Sequence, residues 1–273
     1  KNIYINTMNK KYFIIGNPVE HSLSPKIHNF WFSENKIKAK YGKKEILEHE
    51  IKNIVENVRE EKIAGINVTV PYKQQIIPFL DKLSKLSEKT NSVNTVYKKN
   101  NEVIGDNTDV FGFVESIKYQ SINLKNKTAL ILGGGGVVPS IISALEELCI
   151  KDIFLMNRTF KKIEKLKKNY PKIELLNWGE INEFDIIINA TSIGLNINDE
   201  IKINFDDLKS GKIFYDTIYN PPMTNFLKKA KNNGHTIING KLMLIYQAQK
   251  SFEYWNNVTP KVNEKFLKFL SHD

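Results

Sequence analysis

Apolar residues recur along this chain in two rhythms. Residues 12–16 form an apolar run that ends at Gly16-Asn17-Pro18, which reads as a strand entering a turn. Ser24-Pro25 then opens a helix, with Ser24 at the N-cap and Pro25 at the first helical position. Ile27, Phe30 and Trp31 follow at helical spacing. A strand over 39–47, a helix over about 49–59 and a strand over 64–70 come next, and a second proline-initiated helix is expected from Pro71. Such alternation implies a largely parallel sheet. A hairpin-like pair, 95–98 and 103–105, closes this half.

A helix over 110–119 leads into a second series. The apolar strand 128–132 runs straight into Gly133-Gly134-Gly135-Gly136, residues 140–148 have helical periodicity, and 152–156 is the next strand. The alternation continues through 159–168, 173–176, 185–189, 213–216, 224–232 and 235–238. In outline this is a doubly wound nucleotide-binding unit. Residues 241–255 and 260–270 are helical and fall after the alternation has ended, so they are expected to fold back on the first domain.

Composition narrows the picture. A chain of 273 residues suits two domains at about 150 residues each. Its 41% hydrophobic and 11% aromatic content is that of a folded protein. No apolar run approaches the roughly 20 residues of a membrane span, and the N-terminus lacks the apolar core of a secretory signal. Cys149 is the only cysteine, which excludes an intramolecular disulfide; the cytosol is the expected compartment. The chain begins at Lys1, and Met8 stands ahead of the first strand as an alternative start.

The net charge of +10 raises nucleic acid as a partner. The lysines are instead spread over amphipathic segments, as at Lys161, Lys162, Lys165, Lys167, Lys168, Lys228, Lys229 and Lys231, and read as solvated helix faces. Neither nucleic acid nor membrane is therefore expected as a partner. A basic surface also steers anionic small molecules. His21, His28, His49, His235 and His272 are scattered without ligand spacing to Cys149, so no metal is expected.

The candidate chemistry falls in two places. The Gly133–Gly136 turn lies between a buried strand and a helix, where backbone can approach a pyrophosphate and the helix N-terminus offers unpaired N–H groups. At the end of the next strand an NAD enzyme usually carries an acidic residue, whereas this chain reads Asn157-Arg158-Thr159, followed by Lys161 and Lys162. Arg158 suits a 2′-phosphate, which favours NADP over NAD. In the first half, four polar segments sit at strand ends and loops. These are His21-Ser22-Leu23-Ser24-Pro25, Asn67-Val68-Thr69-Val70-Pro71-Tyr72-Lys73, Asn91-Ser92-Val93-Asn94-Thr95 and Gly105-Asp106-Asn107-Thr108-Asp109. Each alone is explained as a cap or turn.

Together these segments resemble the shikimate dehydrogenase family, in family order over residues 12–255. Further landmarks are Asn189-Ala190-Thr191-Ser192, Asp216-Thr217-Ile218-Tyr219-Asn220-Pro221, and Gly240 to Gln247-Ala248. The resemblance implies an α/β fold with a substrate and catalytic domain over 1–109, a Rossmann-like NADP domain over 110–240, and C-terminal helices over 241–273 that pack on the first domain. It implies NADPH-dependent reduction of 3-dehydroshikimate to shikimate, with a homodimer as one admissible assembly.

Roles follow from the same resemblance. Ser22, Ser24, Asn67, Thr69, Asn94, Asp109, Tyr219 and Gln247 would hold the substrate, and Lys73 and Asp109 would form the catalytic pair. Gly133, Gly134, Gly135, Gly136, Val137, Asn157, Arg158, Thr159, Lys162, Thr191, Thr217 and Gly240 would line the cofactor. The chain departs from the family at the valines after the glycine turn, at Lys162 in place of a second arginine, and at Thr217 in place of an apolar residue. A quinate-accepting dehydrogenase and a non-catalytic ligand sensor on the same fold are the alternatives. The Ser22/Ser24 pair argues against the first, and retention of both Lys73 and Asp109 against the second.

Overall fold

A computed structural model describes residues 9–271, so Met8 and His272 lie outside the described residues. The chain divides into two compact units, Lys1–Thr108 with Gln247–Asp273, and Asp109–Tyr246.

The first unit opens with β1 (Lys10–Gly16), α1 (Ser24–Glu34), β2 (Ala39–Glu45), α2 (Ile51–Arg59) and β3 (Gly65–Val68). It continues with β4 (Lys82–Leu83), α3 (Lys85–Thr90), β5 (Thr95–Lys99) and β6 (Glu102–Asp106). Helix α2 turns Ile51, Ile54, Val55 and Val58 inward at the spacing of one apolar stripe, and they join Ile15, Ile66 and Val96 in the core. The sheet order is β2-β1-β3-β5-β6-β4. It is mixed where a largely parallel sheet was expected, because the β5–β6 hairpin enters antiparallel to β3.

Three local expectations are corrected. Leu23, not Ser24, holds the cap position of α1, without a side-chain bond; the Ser24 N–H is met by Ser22 Oγ at 3.3 Å. No helix starts at Pro71. Residues 71–76 form turns and Ile77–Phe79 a single 3₁₀ turn, because Pro78 brings no N–H and its ring crowds the preceding turn. The short β4 and α3 went unforeseen. The segment Lys85–Thr90 is polar, and its helix rests on Ser84, whose hydroxyl accepts from Ser87 N at 3.1 Å.

The second unit runs α4 (Asp109–Tyr119), β7 (Thr128–Leu132), α5 (Val138–Glu147), β8 (Asp152–Met156), α6 (Phe160–Asn169) and β9 (Glu174–Leu176). Then come β10 (Ile186–Asn189), β11 (Ile213–Asp216), α7 (Asn225–Asn232) and β12 (Thr236–Ile238). Every pair is parallel, in the order β12-β11-β10-β7-β8-β9. This is the doubly wound dinucleotide order, and the strand sequence reverses between β7 and β10. Asn189 is level with Leu132 on one side and Asp216 on the other, so these residues mark the carboxyl edge where such sheets take ligands.

Helix α8 (Lys241–Asn256) begins in the second unit and ends in the first, and α9 (Glu264–Ser271) follows in the first. Their aromatic residues join the first unit's core. Trp255 lies 4.9 Å from Tyr12, and Phe266 stacks on Trp31 at 4.9 Å, ring centre to ring centre. Gly65 leaves room for the indole, since a Cβ there would stand 2.5 Å from Trp255 Nε1. The C-terminal helices thus return to the first unit. Among the described residues no helix is long and apolar enough to cross a membrane.

Candidate active site

In the first unit the polar groups converge where β3 and β5 lie side by side, with Asn67 opposite Thr95. Asn67 is 3% exposed and its amide is fully engaged. Oδ1 accepts from the Tyr41 hydroxyl at 2.7 Å, and Nδ2 donates to Asn94 O, Thr95 Oγ1 and Ser251 Oγ at 3.0–3.1 Å. Asn94 is equally buried. Its Oδ1 accepts from Thr108 N at 2.7 Å, and its Nδ2 donates to Thr108 Oγ1 at 2.9 Å and to Gln247 Oε1 at 3.3 Å. Residues far apart in sequence therefore meet: Asn67, Asn94 and Gln247 share one network. The hydroxyls of Thr95, Thr108 and Ser251 sit at its centre; the first two lie in the polar segments without having been given a role, and Ser251 was not singled out by the sequence. The Thr95 and Ser251 oxygens are 2.6 Å apart.

Thr69 and Lys73 flank the network. Thr69 N donates to Ile15 O, and Thr69 O accepts from Tyr72 N, both at 2.9 Å. Lys73 sits on the turn after β3, where its carbonyl accepts from Val93 N at 2.9 Å and ties that turn to the Asn94 segment. Ser24 is buried at 2% exposure and Ser22 half-buried, both before the first turn of α1 has closed. Asp109 follows Thr108 directly as the first residue of α4, at 6% exposure, and the helix N-terminus favours its negative charge. Tyr219 lies beyond β11 in the second unit, half-buried.

The glycine turn in the second unit can be tested position by position for a dinucleotide. Gly133 has φ +124°, and a Cβ there would stand 2.7 Å from Ala190 O, so the fold itself demands glycine. Gly135 and Gly136 are exposed; a Cβ at Gly136 would meet nothing within 4 Å, leaving bare backbone in open space at the start of α5. Val137 precedes α5 without a side-chain cap, Val138 N donates to Gly135 O at 3.1 Å and Pro139 brings no N–H, so the glycine backbone, not the helix's first N–H groups, is what this turn offers a ligand. Val138 is fully buried and Val137 half-buried, so the bulk of the second valine goes into the core rather than over the turn. These features fit a pyrophosphate.

Arg158, Thr159 and Lys162 are exposed beyond β8, where Asn157 Nδ2 donates to Thr159 O at 2.8 Å and shapes the turn. Arg158 lines a recess with Ser192, Leu195 and Asn196, on the loop after β10. Two carboxylates border that recess and both are engaged. Asp199 accepts from the N–H groups of Asn196 and Gly194, and Glu200 pairs with Lys229; these partners hold both carboxyls below the usual range. The remaining cofactor candidates hold one another. Thr191 Oγ1 donates to Asn189 Oδ1 at 2.7 Å, and Thr217 Oγ1 to Asn189 O at 3.0 Å. Gly240 permits close contact, since a Cβ would stand 2.1 Å from Thr217 O.

A doubly wound unit with a glycine turn and a strand-end arginine, joined to a second α/β unit with a buried polar network, defines a two-unit dinucleotide-dependent oxidoreductase. Comparison with known proteins gives the family. Residues 14–96 match the model of the shikimate dehydrogenase substrate binding domain, and residues 115–217 that of shikimate / quinate 5-dehydrogenase. The NADP(+) shikimate dehydrogenase of Pelagibacter ubique is 54% identical over 264 residues, covering 96% of this chain and 99% of that protein. The crystal structure of the Aquifex aeolicus shikimate dehydrogenase superposes with a TM-score of 0.88 at 35% identity, covering 98% of this chain and all of that one. The Thermus thermophilus shikimate 5-dehydrogenase, crystallised with NADP(H) and shikimate, gives 0.86 at 28% identity, covering 92% of this chain and 95% of that one. The chain belongs to the shikimate dehydrogenase family.

Proposed function

We propose that this chain reduces the ketone of 3-dehydroshikimate to the alcohol of shikimate, reversibly, with the first unit holding the substrate and the second NADP(H). The observation that carries the reading is the joining of Asn94 to Gln247 in one buried network beside the Lys73 turn. Polar groups kept together in this way suit a small polyhydroxylated ligand. NADPH supplies the hydride when bound.

The chain's own part is electrostatic and positional. Reduction builds negative charge on the carbonyl oxygen, and an ammonium at Lys73 stabilises it and donates the proton. In the oxidising direction the amine accepts the proton from the alcohol. Asp109 accepts a substrate hydroxyl. Ser22, Ser24, Thr69 and Tyr219 complete the substrate shell, and Arg158 with Lys162 takes the 2′-phosphate. Arg158 does so as a planar fork and Lys162 as a point charge.

The test is NADP⁺ reduction with shikimate, beside parallel reactions with quinate and with NAD⁺, for the wild type and Lys73→Ala. Turnover chiefly with shikimate and NADP⁺, reduced by about 10²–10⁴ in the variant, is the expected result. Equal turnover with quinate or NAD⁺ would refute the serine and Arg158 assignments. Folded wild-type protein that binds shikimate without turnover would identify a ligand sensor instead.

A further inference from the structure

We propose that Asp216 is a positioning residue for the redox reaction: through Asn189 and Thr224 its carboxylate fixes the strand-end loops that carry Thr191 and Thr217. The inference rests on the reading that these loops border the bound cofactor.

Asp216 ends β11, is fully buried, and has no part in the chemistry above. A carboxylate removed from water persists only where donors replace the water. Here all the donors come from chain segments that surround the ligand edge. Oδ1 accepts from Asn189 Nδ2 and from Ile218 N, both at 3.0 Å, and Oδ2 accepts from Thr224 Oγ1 at 2.6 Å. Burial pushes the acid up to about 6, against the pull of those three bonds.

Each partner passes the constraint on. Asn189 Nδ2 serves Asp216 and Ile193 O, so its Oδ1 must face Thr191, where it accepts from the backbone N–H at 3.1 Å and from the hydroxyl at 2.7 Å. The Thr191 oxygen in turn accepts from Ile193 N at 3.0 Å, which closes that loop. On the other side the Ile218 bond turns the chain immediately after β11. Thr217 is held there by its N–H and hydroxyl, both donating to Asn189 O at 3.0 Å. Thr224 gives its hydroxyl proton to Asp216 and accepts from Leu227 N at 3.3 Å, capping α7. The loop between Ile218 and Thr224 is thus pinned to one carboxylate at both ends.

A purely architectural network would look the same at rest, so the test must separate affinity from folding. NADPH binding by fluorescence titration and steady-state turnover are measured on the full chain for the wild type, Asp216→Asn, Thr224→Val, Thr224→Ser and Arg158→Ala. Asp216→Asn keeps the shape but turns an N–H toward Thr224, whose hydroxyl then loses its acceptor. Asp216→Asn and Thr224→Val are each expected to raise KM for NADP⁺ and Kd for NADPH about tenfold, with kcat at saturating NADP⁺ changed less than about threefold. Thr224→Ser, which keeps the hydroxyl, is expected to restore wild-type affinity. If Asp216→Asn fails to fold, the Thr224 pair decides. A fall in apparent kcat at constant KM, or a loss in Thr224→Val that serine does not restore, overturns the proposal. Should Arg158→Ala weaken NADPH while the Asp216 and Thr224 variants do not, the cofactor reading stands and the positioning role fails. If none of them weakens it, the cofactor reading fails with it.

Discussion

Asn67 shows how a side chain can sit at a binding edge and still belong to the frame. It alternates with apolar residues on β3, and the family resemblance implied a substrate contact for it. In the folded unit its oxygen and both amide protons are already used, on Tyr41, Asn94, Thr95 and Ser251. Asn67→Ala strands those buried partners, at about 1–3 kcal/mol for each group left unsatisfied. Urea unfolding is expected to show a loss of about 2–4 kcal/mol. Unchanged stability with a raised KM for shikimate would return Asn67 to the substrate shell. The residue type was legible in the sequence but its partner was not. Ser251 lies 184 positions away, and nothing local to an amphipathic helix marks one serine as the far end of a strand's hydrogen bond.

Among elements, the strand–glycine–helix junction was the most legible, because a buried strand, a break and an amphipathic helix leave few other arrangements. What the sequence left open was which glycines serve the fold and which the ligand. Gly133 is excluded from substitution by Ala190 O, a contact set by β10, which only the sheet brings near. Gly136 has open space instead, so Gly136→Ala reports on the cofactor alone. It is expected to leave the melting temperature within about 2 °C of wild type while raising Kd for NADPH about tenfold or more, read by fluorescence titration. Unchanged affinity would place the pyrophosphate elsewhere. The helix expected from Pro71 failed for a reason that was also in the sequence. Pro78 follows about two helical turns later, so the proline read as a start had a second behind it acting as a stop.

At the scale of the whole chain the two units respond to acid in opposite senses. His28 is fully buried in the first unit, stacked on Tyr41 at 4.4 Å, with both ring nitrogens lacking a well-placed hydrogen-bond partner. Burial lowers its pKa from 6.5 to about 3, with the Asn67 amide opposing. Its folded pKa lies below its unfolded one. Between those values the unfolded chain therefore binds a proton that the native chain refuses, and stability falls as pH falls through 6.5. At about 1.36 kcal/mol per unit, acidification to pH about 5 costs the first unit about 2 kcal/mol. Asp216 in the second unit carries the other sign. Its acid is raised from 3.8 to about 6 by burial, so between those values the native chain holds a proton that the unfolded chain lacks, and stability rises as pH falls. His235 in the same unit is lowered by burial and then by Lys212, which subtracts from that gain. Asp81 beside Arg59 and Glu183 beside Lys212 are held below the usual carboxylate range by their partners. Hydrogen exchange at pH about 7 and about 5, corrected for the intrinsic rate, is expected to show β1, β3 and α1 losing protection while β7, β10 and β11 hold theirs. In His28→Phe the first unit's loss should disappear. If the second unit opens first, or if the first unit's loss survives that substitution, burial of neutral His28 is not what sets the acid limit of this fold.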